Sequence, residues 1–165
     1  MTRRIFTTAV LVLFAVGVAS CAGEDQSGSP AHQVREWVQN TGFGQDIGTL
    51  VADDALIAKE KSTGGMHAAC GAMEVDADTA NQELPIHGAP QVTVWLSTAY
   101  GLEGAAATEC YQAGVTNKKL LAEAQRDLAK AKGLFSRSLI AIQAIDGRAP
   151  STTTTTDNGP ISIFG

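Results

Sequence analysis

An all-α fold is predicted for this 165-residue chain, as an antiparallel bundle of about four main helices plus a short N-terminal helix. Two observations carry that prediction. Leu121, Ala124, Leu128, Ala131, Phe135, Ser138, Ile142 and Ile145 alternate steps of three and four residues, a heptad seam sustained for about four repeats. Upstream, glycine and proline cut the chain into segments of helical length, and the apolar residues inside each segment also recur at three- and four-residue steps.

The elements follow in order. A short first helix covers about Ala31 to Asn40, with Val34, Trp37 and Val38 on one side and Gly42 and Gly44 ending it. The second runs from about Gln45 to Lys61, with Ile47, Leu50, Val51 and Ile57 as its apolar face and Gly64-Gly65 as its stop. The third spans about Met66 to Ala80, where Met66, Ala69, Cys70, Met73 and Ala77 stack on one stripe. Asn81 to Ala89 is a connection containing Pro85, His87 and Gly88. Pro90 then suits the first turn of a fourth helix, where its missing N–H costs nothing. That helix reaches about Gln112 on a stripe of Val92, Trp95, Leu96, Ala99, Leu102, Ala106 and Cys110. Val92 to Trp95 alone would also suit a strand, but the stripe continues too far at helical spacing. The last helix starts after Thr116 as N-cap, ends at Gly147 and Pro150, and at 1.5 Å per residue is about 45 Å long.

The two ends read differently. Arg3 and Arg4 precede an apolar run from Ile5 to Ala19, which is short for a bilayer span and is followed at once by Glu24 and Asp25. Val18-Ala19-Ser20-Cys21 closes this run. The order of basic, apolar and small-residue zones before a cysteine resembles the lipobox of bacterial lipoproteins. The resemblance implies that residues 1–20 are a lipoprotein signal peptide and that Cys21 becomes the lipidated N-terminus. It also implies a lipid anchor on the outer face of the cell membrane. Thr2-Arg3-Arg4-Ile5-Phe6 further resembles a twin-arginine export motif, and the general secretory route suits the apolar run equally. Residues 21–30 are small and polar and read as a flexible tether, leaving 31–147 as the helical domain. Residues 148–165 carry the run Ser151 to Thr156 and read as a disordered, Thr-rich tail. Such tails resemble O-glycosylated segments of exported actinobacterial proteins, and an unmodified solvated tail remains an equal alternative.

If Cys21 carries lipid, Cys70 and Cys110 remain, and outside the cytoplasm an even pair is most simply a disulfide; two buried free thiols are the rival reading. The predicted helices place the two cysteines at different heights in a tight hairpin, by roughly 15 Å. A bridge therefore requires an extended connection, or a bend at Gly101 or Gly104. Loss of residues 1–20 moves the formal charge from −5 to −7, because Arg3 and Arg4 leave and no acid does. An acidic surface argues against a nucleic-acid partner and against electrostatic docking on anionic lipid, so the membrane would be held through acyl chains.

Candidate chemistry is sparse. His32, His67 and His87 form no His-Glu-x-x-His or His-x-x-x-His pair, and no Cys-x-x-Cys is present. His67, Cys70, Met66 and Met73 include soft metal ligands, but a disulfide would consume Cys70, so no metal and no other cofactor is expected. Asp76, Asp78, Asn81 and Glu83 depart from a calcium loop, with Ala80 and no glycine at the turn, and read as a solvated helix end. Asp53 and Asp54 with Lys59, Glu60 and Lys61 read as an exposed face of mixed charge. No Gly-x-Ser-x-Gly occurs, Ser136 and Ser138 sit where packing is the simpler role, and Gly64-Gly65 lacks the Lys-Ser/Thr of a phosphate loop. Trp95, Tyr100 and Tyr111 read as core and rim.

The chain as a whole is similar to small exported actinobacterial lipoproteins with two-cysteine helical domains of undefined function. The domain part of that likeness rests on Cys70, Pro85, Trp95, Cys110 and the long Ala- and Leu-rich helix. The expected role is a membrane-tethered, non-enzymatic interaction or scaffold module with an envelope protein as partner. The alternative is a carrier of a lipid or other apolar ligand, in a cleft lined by Trp37, Trp95 and Met73. An enzyme would need at least two of His67, His87, Asp76 and Glu83 to converge.

Overall fold

Five helices and their connections account for residues 28–147, the part of the chain described by the computed structural model. They are α1 (Pro30–Asn40), α2 (Phe43–Ile57), α3 (Thr63–Gln82), α4 (Pro90–Ala113) and α5 (Lys118–Asp146). The proposed signal peptide, Cys21, most of the tether and the Thr-rich tail lie outside the described residues.

Local chemistry sets the helix ends. Ser29 caps α1 by accepting from His32 N–H, with Pro30 in the first turn. Ser62 accepts from Gly65 N–H at 3.0 Å, so the third helix begins at Thr63 and Gly64-Gly65 form its first turn rather than the break. The break between α2 and α3 is the 58–62 connection. Pro90 opens α4 as the sequence suggests. Asn117, not Thr116, caps α5, accepting from Leu120 N–H at 3.3 Å. Gly147 ends α5 at φ 76°, a left-handed conformation that costs glycine little. With 29 residues, α5 is about 43 Å long.

Cross-helix pairs fix the topology. Cys70 meets Cys110 with Cα atoms 5.9 Å apart, and His67 stacks on Tyr111 one turn away, so α3 and α4 are antiparallel. Tyr100 packs on Phe135, with ring centroids 5.3 Å apart, which aligns α4 with α5. The heptad seam of α5 faces inward: Ala124, Leu128, Ala131, Phe135, Ser138 and Ile142 are all buried. Alanines on both sides (Ala99, Ala106 and Ala107 from α4, Ala124 and Ala131 from α5) contribute to this core. Helix α2 packs along α3, and its Asp54 reaches Lys132 of α5 at 2.5 Å.

The disulfide offset is absorbed by the connection, not by a bend. Twelve residues separate Cys70 from Gln82, and twenty separate Pro90 from Cys110. The eight-residue difference places the start of α4 about 12 Å beyond the end of α3. Residues 83–89 cover that rise, a distance well within the reach of seven residues. Helix α4 runs unbroken through Gly101 and Gly104. Thr93 Oγ1 accepts from Ile86 N–H at 2.9 Å, and Ile86 is itself buried, so the connection is tied to the helix it leads into.

Helix α1 closes the end of the bundle where this connection lies. Val34 is fully buried, Trp37 Nε1–H donates to the Glu83 carbonyl at 2.9 Å, and Trp37 packs on Phe43. Arg35 holds Asp146 at the end of α5, with Nη2 to Oδ1 at 2.6 Å. Gly88 permits the close approach: its φ is +82°, and a Cβ there would lie 2.9 Å from the Pro30 Cα. Trp37→Phe keeps most of the apolar contact but leaves the half-buried Glu83 carbonyl without its donor. We expect a loss of about 1 kcal/mol, read as a lower urea midpoint with an unchanged slope.

Candidate functional site

The polar chemistry of the domain gathers along one seam, and the acids that form it stand on buried stripes. On α2 the steps Asp46, Leu50, Asp53, Ile57 are four, three and four residues. On α4 the inward stripe runs Leu96, Ala99, Glu103, Ala106, Cys110, so Glu103 takes the place expected for Leu102. Asp53 is 6 % exposed and Glu103 3 % exposed. Asp76 on α3 and Glu83, directly after its last residue, lie beside the stripe that holds Met73 and Ala80 and turn toward α2. Asp53 therefore belongs to the interior rather than to an exposed mixed-charge face. Asp76 and Glu83 face carboxyls, not solvent alone.

Antiparallel packing of α2 on α3 pairs these acids twice, Asp53 with Asp76 and Asp46 with Glu83. Asp46 Oδ2, Asp53 Oδ2 and Glu103 Oε2 are buried and accept no hydrogen bond. A carboxyl oxygen in that position is best kept neutral, carrying the proton itself. Burial first, and then the neighbouring Asp76 carboxyl and its charge, raise the Asp53 carboxyl to about 6. Burial pushes Glu103 up to about 7; the charges of Asp54 and Asp53 add to the rise and Lys132 opposes it. Asp46 is raised by burial first and by Glu83 second. Tyr100 lies 3 % exposed at the same level, and burial with the charges of Asp46 and Glu83 raises its phenol. Two carboxyls of the seam, Asp53 and Glu103, thus hold their protons well above the ordinary carboxylate range.

Glu103 also lines a cleft between α2 and α5, together with Ile47, Leu50, Val51, Lys132 and Phe135. The cleft has a volume of about 10 Å³, room for about one water. Ligand cavities for lipid-sized molecules run to hundreds of Å³. The cleft is not the one suggested by Trp37, Trp95 and Met73. Trp37 sits at the α1 end of the bundle, Met73 is fully buried in the core, and Trp95 is half-buried outside the stripe assigned to it.

The other candidates are placed as follows. Cys70 and Cys110 are brought together and are buried, with His67 and Tyr111 stacked beside them at 4.2 Å. The Cys70 sulfur is therefore spent in the bridge, and Met66 and Met73 are buried in the core. Among the described residues, no group of three or more His, Cys, Asp or Glu side chains is arranged to hold a metal ion. His32 is exposed and lies 3.4 Å from Glu36 one turn along α1. His87 is exposed in the α3–α4 connection, at the opposite end of α3 from His67. Of the four groups at least two of which an enzyme would need to converge, Asp76 and Glu83 both act on Asp46, while His67 is stacked on Tyr111 toward the other end of α3. Ser138 is fully buried on the α5 seam and Ser136 is exposed. Cys21 lies outside the described residues. No described helix is long and apolar enough to cross a membrane.

The signal for the acidic seam was spacing. Asp46, Asp53 and Glu103 stand three or four residues from apolar stripe members on both sides, a position that charged side chains otherwise avoid. No protein-family model, curated protein or solved structure matches this chain.

Proposed function

We propose that this chain is a lipid-anchored protein of the cell envelope whose helical domain acts as a non-enzymatic interaction or scaffold module. The observation that carries the reading is the Cys70–Cys110 pair. A buried bridge between two helices belongs to an oxidising compartment, which agrees with the export signal read in residues 1–20. It also leaves Cys21, behind Val18-Ala19-Ser20, as the odd cysteine and thus the one available for a diacylglyceryl group. The membrane is held through lipid on Cys21, and the partner is another envelope protein. Nucleic acid is disfavoured by the acidic charge.

The test is to extract the full chain from a bacterial envelope in mild detergent and to compare its mass under native and denaturing conditions. The expected denatured mass is that of a chain starting at Cys21 plus diacylglyceryl and any further acyl group, and Cys21→Ala should lose both the lipid and the membrane fraction. A native mass larger by a protein subunit supports the scaffold reading. A small apolar adduct lost on denaturation would replace it with the carrier reading. A denatured chain without diacylglyceryl would overturn the anchor.

A further inference from the structure

Two of the acids of the seam, Asp46 and Asp53, lie on α2, which no disulfide holds to its neighbours and whose polar ties include Asp54–Lys132 and the Gly42 N–H donated to Glu83 Oε1 at 3.5 Å. Helices α3 and α4 are joined covalently by Cys70–Cys110, and α5 lies along α4 for most of its length through the alanine-rich seam. Helix α1 is fixed at the end of the bundle by Val34, by the Trp37–Glu83 hydrogen bond and by the Arg35–Asp146 ion pair. Between α1 and α3, α2 is bounded by two connections, Thr41–Gly42 and 58–62. Its first turn has Gly42 at the cap position and no side-chain cap. The face it presents to the bundle mixes Phe43, Ile47 and Leu50 with Asp46 and Asp53.

We propose that α2 is an acid-latched arm: protons held on the buried carboxyls between α2, α3 and α4 keep it closed on the bundle, and their release lets it open.

The charges facing these carboxyls decide the sign. Asp53 faces Asp76 of α3 and, across the seam, Glu103 of α4. Asp46 faces Asp76 of α3 and Glu83 at the start of the following connection, with the neutral Tyr100 phenol on the α4 side. Glu103 faces Asp53 and Asp54 of α2 and Lys132 of α5. Lys132 is the one cation in this set, and it is already paired to Asp54. Each proton lost therefore adds a negative charge facing other acids in a poorly solvated seam. The Asp54–Lys132 pair is half-exposed and draws α2 toward α5, so it limits the opening. When α2 lifts, Asp53 and Glu103 regain water and the repulsion falls. The most alkaline state of the domain is then one in which α3, α4 and α5 persist and α2 does not.

This proposal does not depend on the membrane address. Native-state hydrogen exchange on the full chain tests it, at several pH values between 5 and 8 and in low concentrations of denaturant. Three results are expected. Amides of α2 should exchange through an opening less protected than that of α4 and α5. That opening should depend weakly on denaturant. Its protection factor, corrected for intrinsic exchange, should fall at least about tenfold from pH 5 to 8. In Asp53→Asn/Glu103→Gln, which keeps side-chain size while removing ionisation at two of the seam's acids and leaving Asp46, the pH-dependent fall should shrink severalfold. Two results would overturn the proposal: α2 exchanging with the same protection and denaturant slope as α4, or α2 protection that does not change with pH. Both are read on the unmodified chain, so the decision stands even if the double variant folds poorly.

Discussion

Removing the Cys70–Cys110 bridge, by reduction or by replacing both cysteines with alanine, is expected to destabilise the domain by about 4 kcal/mol. The bridge closes a long loop, the sequence separation being 40 residues, so it removes considerable freedom from the unfolded chain. It does so between two helices that are otherwise joined by an irregular seven-residue connection. Both cysteines are almost fully buried, so the alanine pair also gives up some packing. For a domain of this size the loss corresponds to roughly 15 °C in Tm. Thermal melts with and without reductant check it, alongside a thiol count in denaturant without reductant. Cys70 and Cys110 should contribute no free thiol to that count. Two free thiols from them, or a melt unmoved by reduction, would mean that the chain does not carry the bridge in solution and would remove the main support for an oxidising address.

The helical frame was legible because its signals are local and repeated. The α5 seam survives intact in the packed domain, from Ala124 to Ile142, because a long run of threes and fours leaves no competing period. Pro90 and Gly147 act at the positions that their backbone constraints allow. Gly64-Gly65 misled for a physical reason: glycine lowers helix propensity, but a capping serine two residues earlier outweighs it in a first turn. The acidic seam was the harder case. Composition rules send aspartate and glutamate to solvent, and Asp53 and Asp54 stand next to each other, so no local rule tells which of the two is inside. Their phase against Leu50 and Ile57 does tell, once α2 is known to pack on α3. Asp76 and Glu83 were visible as acids, but their partners come from a different helix, and only the antiparallel docking of α2 pairs them. Trp95 shows the converse, since a large apolar residue next to a buried stripe member need not itself be buried.

Glu103→Gln is expected to stabilise the domain by about 2–3 kcal/mol at pH 8 while leaving it nearly unchanged at pH 4. Unfolded, Glu103 titrates at its ordinary value of 4.5; folded, burial holds it at about 7. Between those values the folded chain keeps a proton that the unfolded chain has lost. Stability is therefore fully present below about 4.5 and declines as pH rises through 7. Asp53, raised to about 6 from 3.8, adds to the decline in the same direction over a slightly more acidic window. The domain should accordingly be more stable in mild acid than at pH 8, contrary to proteins whose carboxylates are salt-bridged and which lose stability on acidification. Glutamine stays neutral throughout, so its curve should lack the Glu103 contribution and cross above the parent chain as pH rises. Urea titrations of both chains at pH 4, 6 and 8 measure this directly. Matching curves at every pH would mean that Glu103 reaches water in the folded state, and burial could then no longer be the cause of its proton affinity. A parent curve that declines in parallel with that of the variant would shift the effect to the Asp53–Asp76 pair, which Asp53→Asn isolates.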